Sequence, residues 1–567
     1  MNKVFTDILQ RPIIFNRNEL SFAAAEPDAV ACWVSSLSLL PLGDAAKALF
    51  EALIEINELE CSETLRFDFL QILSPQFNHV LQHLESHFFN QGLIHSDRND
   101  HIIELAFRLR TCLANGYIII AKQSSAQLAQ QKFSIFALNK KKNLKAAKTL
   151  SIYYAMHELT QLVYQQQMMY SKPAIGQWLC IHWLFDLAQK GKVELENINQ
   201  LQGLNRPLKN ILRSYHQVIL LHILNTNQIR QSEIQSLYEC SFEWAKLIQL
   251  EYKESQSSKY VIDKTKDLPP AYNRKQYPAI FPNLFISTQP LLEHITATLH
   301  KSDDYLSTIE KQFLTPALKF HVQNILGSIG ERRHERFESS GQLHICFGLH
   351  TAHFYLSKSK NFIDTLEHDI VLNETTDHFS IENIDKTLFS PPSRLSREAK
   401  KIYMTDILDM SVSGYRIKWP EEIPAHLKTG ELILVKENIH GKWRGGVIRW
   451  IKQASEKNLE MGLEILTKDV LPCAVRLENQ DQSHYLPALL VQSQHLDYAK
   501  LTLIIANYSV FQQQNTLKLQ IGTEEFVLYL LKAQLITQSF IQFEFDLPDE
   551  AQKNTLKNVM IRHSRVN

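Results

Sequence analysis

The chain has 567 residues, 44% hydrophobic and 21% charged, a balance typical of folded domains and outside the low-hydrophobicity, high-charge regime of disorder. At about 150 residues per domain it is too long for one core, and about three or four domains are expected. Lys plus Arg equals Asp plus Glu at 60 each, so no net field draws the chain to a nucleic-acid backbone or an anionic membrane, and any anion must be bound locally.

At the amino terminus, Asp7, Arg11 and Pro12 fall where a secretory signal needs an uninterrupted apolar core. The most apolar stretches, 117–121 and 218–224, are far shorter than the ~20 residues that span a bilayer. Seven cysteines are scattered singly with no CxxC pair, which suits reduced thiols and a cytoplasmic location.

Up to residue 254 the apolar residues recur at three- and four-residue spacing, as in Ala45, Ala46, Leu49, Phe50, Leu53 and Ile54. That period predicts an all-α domain over 1–254. Ser74–Pro75 reads as an N-cap and first helical position before the run 77–88, and Asn99–Asp100 as the cap of the next helix. Trp178–Leu187 followed by Gln189–Lys192 has the form of a helix hairpin, so a helix-hairpin repeat is an open alternative to a bundle. Residues 255–285 are polar and carry Pro269, Pro270, Pro278 and Pro282, the composition of an exposed linker. A helical connector is expected over 286–330.

From 331 the period becomes two. Tyr415, Ile417 and Trp419 alternate with Arg416 and Lys418, and Met461, Leu463 and Ile465 with Gly462 and Glu464, which predicts an antiparallel β-domain over 331–475. The same alternation in Leu517–Ile521, Phe526–Leu530 and Ile541–Leu547 predicts a further small β-domain over 480–567. The fold class is therefore multidomain α + β, with an all-α half followed by two β-domains.

Two short motifs concentrate the chemistry. Arg332-x-x-x-Arg336, with Arg333 between them, clusters planar guanidiniums that pair bidentately with phosphate or stack on a purine. Asp409-x-Ser411-x-x-Gly414 precedes the strand Tyr415–Trp419. Its carboxylate can accept from guanine's ring and exocyclic N–H groups, its serine adds a hydroxyl, and Gly414 permits a positive-φ turn. Taken singly, the arginines also suit a solvated helix end, and Asp409 and Ser411 a turn before a strand. Their occurrence together and in order favours a guanine-and-phosphate pocket.

RxxxR followed by [D/N]xSxxG and β-strands resembles the PilZ domain of bacterial cyclic-di-GMP receptors. The stretches Gly430–Val435, Gly446–Trp450 and Gly462–Leu466 are similar to that family's later strands. The resemblance covers roughly 330–470. It implies a small antiparallel β-barrel in which Arg332, Arg333 and Arg336 hold phosphates and stack on guanine, Asp409 and Ser411 read a guanine edge, and Gly414 shapes the turn beneath it. It also implies a signalling effector whose ligand is cyclic-di-GMP, with no other cofactor, acting on motility, pili or biofilm output. An unidentified protein partner is expected to engage the helical region or the insertion described next. The alternative is an interaction scaffold whose PilZ site binds no nucleotide.

Seventy-two residues separate Arg336 from Asp409, more than the family's usual strand and turn. Part of this is read as a strand, Gln342–Leu356, and 357–400 as a surface insertion, which loop-closure entropy tolerates because it grows only logarithmically with length. Metal and enzyme readings are weaker. His79, His83 and His87 share a helical spacing without completing ligands, and His157–Glu158 lacks the second histidine of a zincin because Gln161 stands there. Cys346, His350 and His353 are read as strand positions. With no phosphate loop and no nucleophile elbow, no enzymatic activity and no metal are expected. Balanced charge without aromatic-basic interleaving argues against an RNA-binding helical repeat.

Overall fold

The computed structural model describes residues 4–89, 97–130, 137–202, 209–274, 283–300, 305–328, 336–366, 395–419, 424, 427–438, 440–455, 458–467, 469–478, 484–492 and 501–566. The chain folds as two compact units, Met1–Thr226 with Gln231–Gly330, and Asn227–Arg230 with Glu331–Asn567. Among the described residues, no helix is long and apolar enough to cross a membrane.

The first unit begins with helices α1 (Val4–Gln10), α2 (Pro27–Ser36), α3 (Leu42–Glu58), α4 (Glu63–Ser86), α5 (Asp97–Gln130), α6 (Leu138–Met168), α7 (Gln177–Gly191), α8 (Ile198–Leu201), α9 (Ile211–Ile223) and α10 (Gln231–Trp244). The stripe read from the sequence is the buried face of α3, with Ala45, Ala46, Leu49 and Leu53 all inside. Two expected helix starts move. Pro75 lies inside α4, which starts at Glu63 behind the cap Ser62, whose side chain accepts from Leu65 N–H. An interior proline costs about 3 kcal/mol, but the buried stripe runs through it as Phe69, Leu70, Leu73, Phe77, Val80 and Leu81. At about 1.5–3 kcal/mol per buried side chain, packing outweighs the break. Helix α5 likewise starts at Asp97, placing Asn99 and Asp100 in its first turn.

The stretch 255–285, expected as a linker, contains strands. β1 (Gln249–Glu251), β2 (Tyr260–Asp263), β3 (Ala271–Tyr272) and β4 (Asn283–Ser287) form one antiparallel sheet in the order β1-β4-β2-β3. Its strands are too short for their alternation to stand out, and its polar residues serve neighbours. Asp267 accepts from Gly176 N–H at 2.6 Å and Leu179 N–H at 3.1 Å, capping α7. Helices α11 (Gln289–His300), α12 (Thr308–Phe313) and α13 (Pro316–Gly327) complete the unit, joined to α10 by Glu310 Oε1, which accepts from Trp244 Nε1 at 2.8 Å.

The second unit holds two closed barrels. β5 (Phe337–Glu338), β6 (Gln342–Phe347), β7 (Tyr403–Ser411), β8 (Gly414–Trp419), β9 (Leu432–Lys436), β10 (Arg444–Ser455) and β11 (Asn458–Thr467) run in the order β5-β7-β6-β9-β10-β11-β8, and a β7–β8 pairing closes the first barrel. Tyr415, Ile417 and Trp419 point into its core, as the alternation predicts. The expected strand 342–356 ends at Phe347. Gly348 adopts φ +86°, a conformation that ends the strand, and α14 (Leu349–Leu356) follows. The short α15 (Phe362–Thr365) lies at the start of the insertion. The other end of the insertion is pinned to α14 by Thr351 Oγ1, which donates to Ala399 O at 3.1 Å, and by the Tyr355 hydroxyl on Lys400 O. Residues 367–394 lie outside the described residues.

β12 (Val470–Leu477), β13 (Leu486–Gln492), β14 (Leu501–Ala506), β15 (Thr516–Ile521), β16 (Glu524–Ile536) and β17 (Phe540–Asp546) close the second barrel in the order β12-β13-β14-β17-β16-β15. It begins at Val470 rather than at 480, because only Lys468 and Asp469 separate β12 from β11, too short a break to mark a boundary. Leu556 and Met560 of α16 (Glu550–Val566) join its core. The barrels meet where α14 packs on β12 and β13 and where Ser539 Oγ donates to Glu431 Oε2 at 2.7 Å.

Candidate ligand site on the first barrel

Backbone pairing brings the two motifs together. β5 pairs with β7 so that Glu338 lies opposite Asp409, and Arg336, two residues before Glu338, donates through Nη1 to Asp409 Oδ1 at 2.7 Å. The separation of 72 residues in sequence is thus closed by one short pair of strands. Arg332 and Arg333 lie outside the described residues.

A β-bulge aims Asp409. Ile407 pairs with Ile417 but Asp409 with Arg416, so two steps on β7 match one on β8 and Leu408 is the extra residue. Strict alternation from buried Ile407 would turn Asp409 inward. The bulge places it on the outer face beside Arg416 instead.

Ser411 and Gly414 close the β7–β8 hairpin through Val412 and Ser413. Ser411 Oγ lies 3.4 Å from Ser413 Oγ, and Val412 at the tip is 72% exposed. The expectation that Gly414 supplies a positive-φ turn is corrected: it does not lie in the left-handed region. It faces Glu464 across β11, where a Cβ would overlap the Leu463 carbonyl oxygen and sit 3.1 Å from its carbon. Close backbone approach, not turn geometry, requires glycine here. Gly414→Ala is therefore expected to destabilise the unit by about 1–3 kcal/mol, read as a lower urea midpoint. An unchanged midpoint would show that β8 and β11 can part without cost.

Three neighbours escape motif reading. Arg416 Nη1 donates to Asp409 Oδ2 at 3.3 Å, while its Nε and Nη2 donate to Glu460 Oε2 at 3.2 and 2.7 Å. These bonds, that to Glu460 first, raise the Arg416 guanidinium above its ordinary pKa. Beyond Arg416 in the same cross-strand row come Gly462 and then Trp450. A second bulge, at Arg449, turns Trp450 to the outer face. Its indole lies on Gly462, where a Cβ would overlap it. The row Asp409, Arg416, Gly462, Trp450 so offers a carboxylate, a guanidinium and a flat aromatic surface side by side. Alternation in β8 already marked Arg416 as outward, and the alternation of Met461, Leu463 and Ile465 extended back along β11 puts Glu460 outward too; for Trp450, behind a bulge, the spacing carried no signal.

The remaining candidates have structural roles. Cys346 is buried in β6, where burial pushes its thiol up to about 12, and burial holds the His353 ring at about 4 against Phe362. His350 and His353 stand on α14, not on a strand. Glu158 pairs with buried Arg110 at 2.9 Å, and Gln161 donates to the Tyr238 hydroxyl. His79 and His83 approach each other at 3.2 Å on α4. Among the described residues, no three His, Cys, Asp or Glu side chains converge as metal ligands.

Three family models match the chain in succession. They are Cyclic-di-GMP receptor FimW, N-terminal domain, over residues 28–256; Cyclic-di-GMP receptor FimW, middle PilZ domain, over 259–390 and 380–472; and FimW C-terminal beta-barrel domain, over 473–548. A protein of Pseudomonas aeruginosa described as Cyclic-di-GMP receptor FimW is 27% identical over 572 aligned positions, spanning 93% of this chain and 92% of its own length. No solved structure matches.

Proposed function

The chain belongs to the PilZ-domain family of cyclic-di-GMP receptors, and from that membership we propose that it is itself a cyclic-di-GMP-binding effector. The observation that carries this reading is the meeting of Arg336 with Asp409 at 2.7 Å, on the hairpin that also holds Ser411 and Gly414. Asp409 faces outward, where it can accept from guanine N1–H and N2–H, and Trp450 supplies a surface for a base to stack on.

Charge assigns a part to the remaining arginines. Arg336 and Arg416 are balanced by Asp409 and Glu460, so the two negative charges of the dinucleotide call for further cations. Arg332 and Arg333, neighbours of Arg336 in sequence, are the residues proposed to supply them. Binding would favour the arrangement in which these arginines close on the ligand, and that shift would be passed to a protein partner controlling motility, pili or biofilm output. The relative's description as a cyclic-di-GMP receptor supports the same reading.

Calorimetric titration of the full chain with cyclic-di-GMP tests it. Saturable heat at micromolar concentrations is expected. A folded chain that takes up none would overturn the reading in favour of a protein-interaction scaffold.

A further inference from the structure

Asp409 has both carboxylate oxygens engaged before any ligand is present, one by Arg336 and the other by Arg416. The two guanidiniums are held differently. Arg336 flanks β5, a two-residue strand that among the described residues pairs on one side, with β7. Arg416 lies within β8, paired with β7 on one side and β11 on the other. Its guanidinium is also clamped: Nε and Nη2 both reach Glu460 Oε2, leaving Nη1 for Asp409. Gly462 stands directly opposite Arg416, and the Trp450 indole lies over it.

These constraints matter because the ligand competes for the same groups. If Arg336 turns to a phosphate or a base, Asp409 Oδ1 loses its donor and becomes free to accept from the ligand. Without a second cation, that carboxylate would stand uncompensated near two phosphodiesters and would swing away from them. We propose that Arg416, tethered by Glu460, is the positioning residue that keeps Asp409 aimed at the guanine edge when Arg336 leaves it, so that base selectivity as well as affinity depends on the Glu460–Arg416 pair. This rests on the reading of the site as a cyclic-di-GMP pocket.

The selectivity argument is chemical. Guanine presents two adjacent donors, N1–H and N2–H, to a carboxylate; hypoxanthine presents only N1–H. A fixed carboxylate distinguishes the two, whereas a wandering one does so poorly.

The test compares cyclic-di-GMP with cyclic-di-IMP, its hypoxanthine counterpart, by calorimetry on the full chain. Arg416→Met is expected to weaken cyclic-di-GMP binding about tenfold or more and to shrink the preference for it over cyclic-di-IMP. Glu460→Gln, which leaves Arg416 charged, should move both quantities the same way by a smaller factor, and it serves as the readout should Arg416→Met not fold. The double variant should bind no worse than Arg416→Met, because the two residues act as one unit. Arg416→Lys keeps the charge without the fork, so it should not restore the preference. The inference is overturned if the variants bind with wild-type affinity and preference, or if both ligands weaken equally with the preference intact. A wild-type chain that binds neither ligand overturns the pocket reading itself, and this inference with it, an outcome told apart at the first titration.

Discussion

Asp409→Ala is expected to lower the affinity for cyclic-di-GMP by about two to four orders of magnitude while the barrel stays folded. In the proposed complex two hydrogen bonds from guanine to an ionised carboxylate would be lost, each worth about 1.5–3 kcal/mol. Their sum, about 3–6 kcal/mol, corresponds to that range at about 1.4 kcal/mol per decade. The cost to the fold should be small by comparison. The pairs with Arg336 and Arg416 are partly exposed, at 36% and 38% on the arginine side, and such pairs contribute about 1 kcal/mol or less each. Calorimetry gives the affinity, and a thermal melt checks the fold. Arg332→Ala is expected to act in the same direction, since Arg332 is one of the two residues proposed to supply a cation to the phosphates. Affinity retained in both variants would put the site elsewhere.

The second large effect is on stability towards acid. His182 is buried in the first unit, with Nδ1 2.9 Å from the Tyr215 hydroxyl and Nε2 2.9 Å from Leu268 O. His216 is buried nearby, with Nδ1 2.9 Å from Ala245 O. Burial holds each ring at about 4, against about 6.5 in an unfolded chain. A base whose folded pKa is depressed takes up its proton first in the unfolded state. The stability from keeping these rings neutral is therefore complete above about pH 6.5 and is lost as pH falls towards 4. Two protons correspond to a slope of about 3 kcal/mol per pH unit, and to about 6–7 kcal/mol across the window. That is comparable to the whole stability of a typical domain. Urea midpoints measured from pH 7.5 down to 4.5 should fall steeply below 6.5, and His216→Gln should make the slope shallower without abolishing it, because His182 and the equally buried His222 remain. A flat profile would show that these rings charge in place.

Much of the candidate site was legible because its residues are local in sequence. Asp409, Ser411 and Gly414 fall within six residues that end one strand and begin the next, and hairpin geometry keeps such residues together. The stripes of α3 and the alternation of β8 report burial directly, since each follows from the period of its own element. Where expectations failed, a distant partner had overridden local preference. Pro75 is carried through α4 by the core on either side of it. The polar stretch around Asp267 read as a linker because its polar groups are spent on the N-terminus of α7, some 90 residues earlier in the chain.

Residue types, their order and the change of period from helical to extended are enough to place a helical half before two β-domains and to nominate residues for the proposed guanine-and-phosphate pocket. They cannot say which way a strand residue faces after a bulge. The extra residues at Leu408 and Arg449 exist only as mismatches between paired strands, and they decide that Asp409 and Trp450 stand outside the barrel in one row with Arg416. The reason for Gly414 likewise lies in the Leu463 carbonyl of another strand. The clamp of Glu460 on Arg416 joins positions 44 residues apart. Side-chain direction and cross-strand contact are properties of register, and register is settled only when the strands pair.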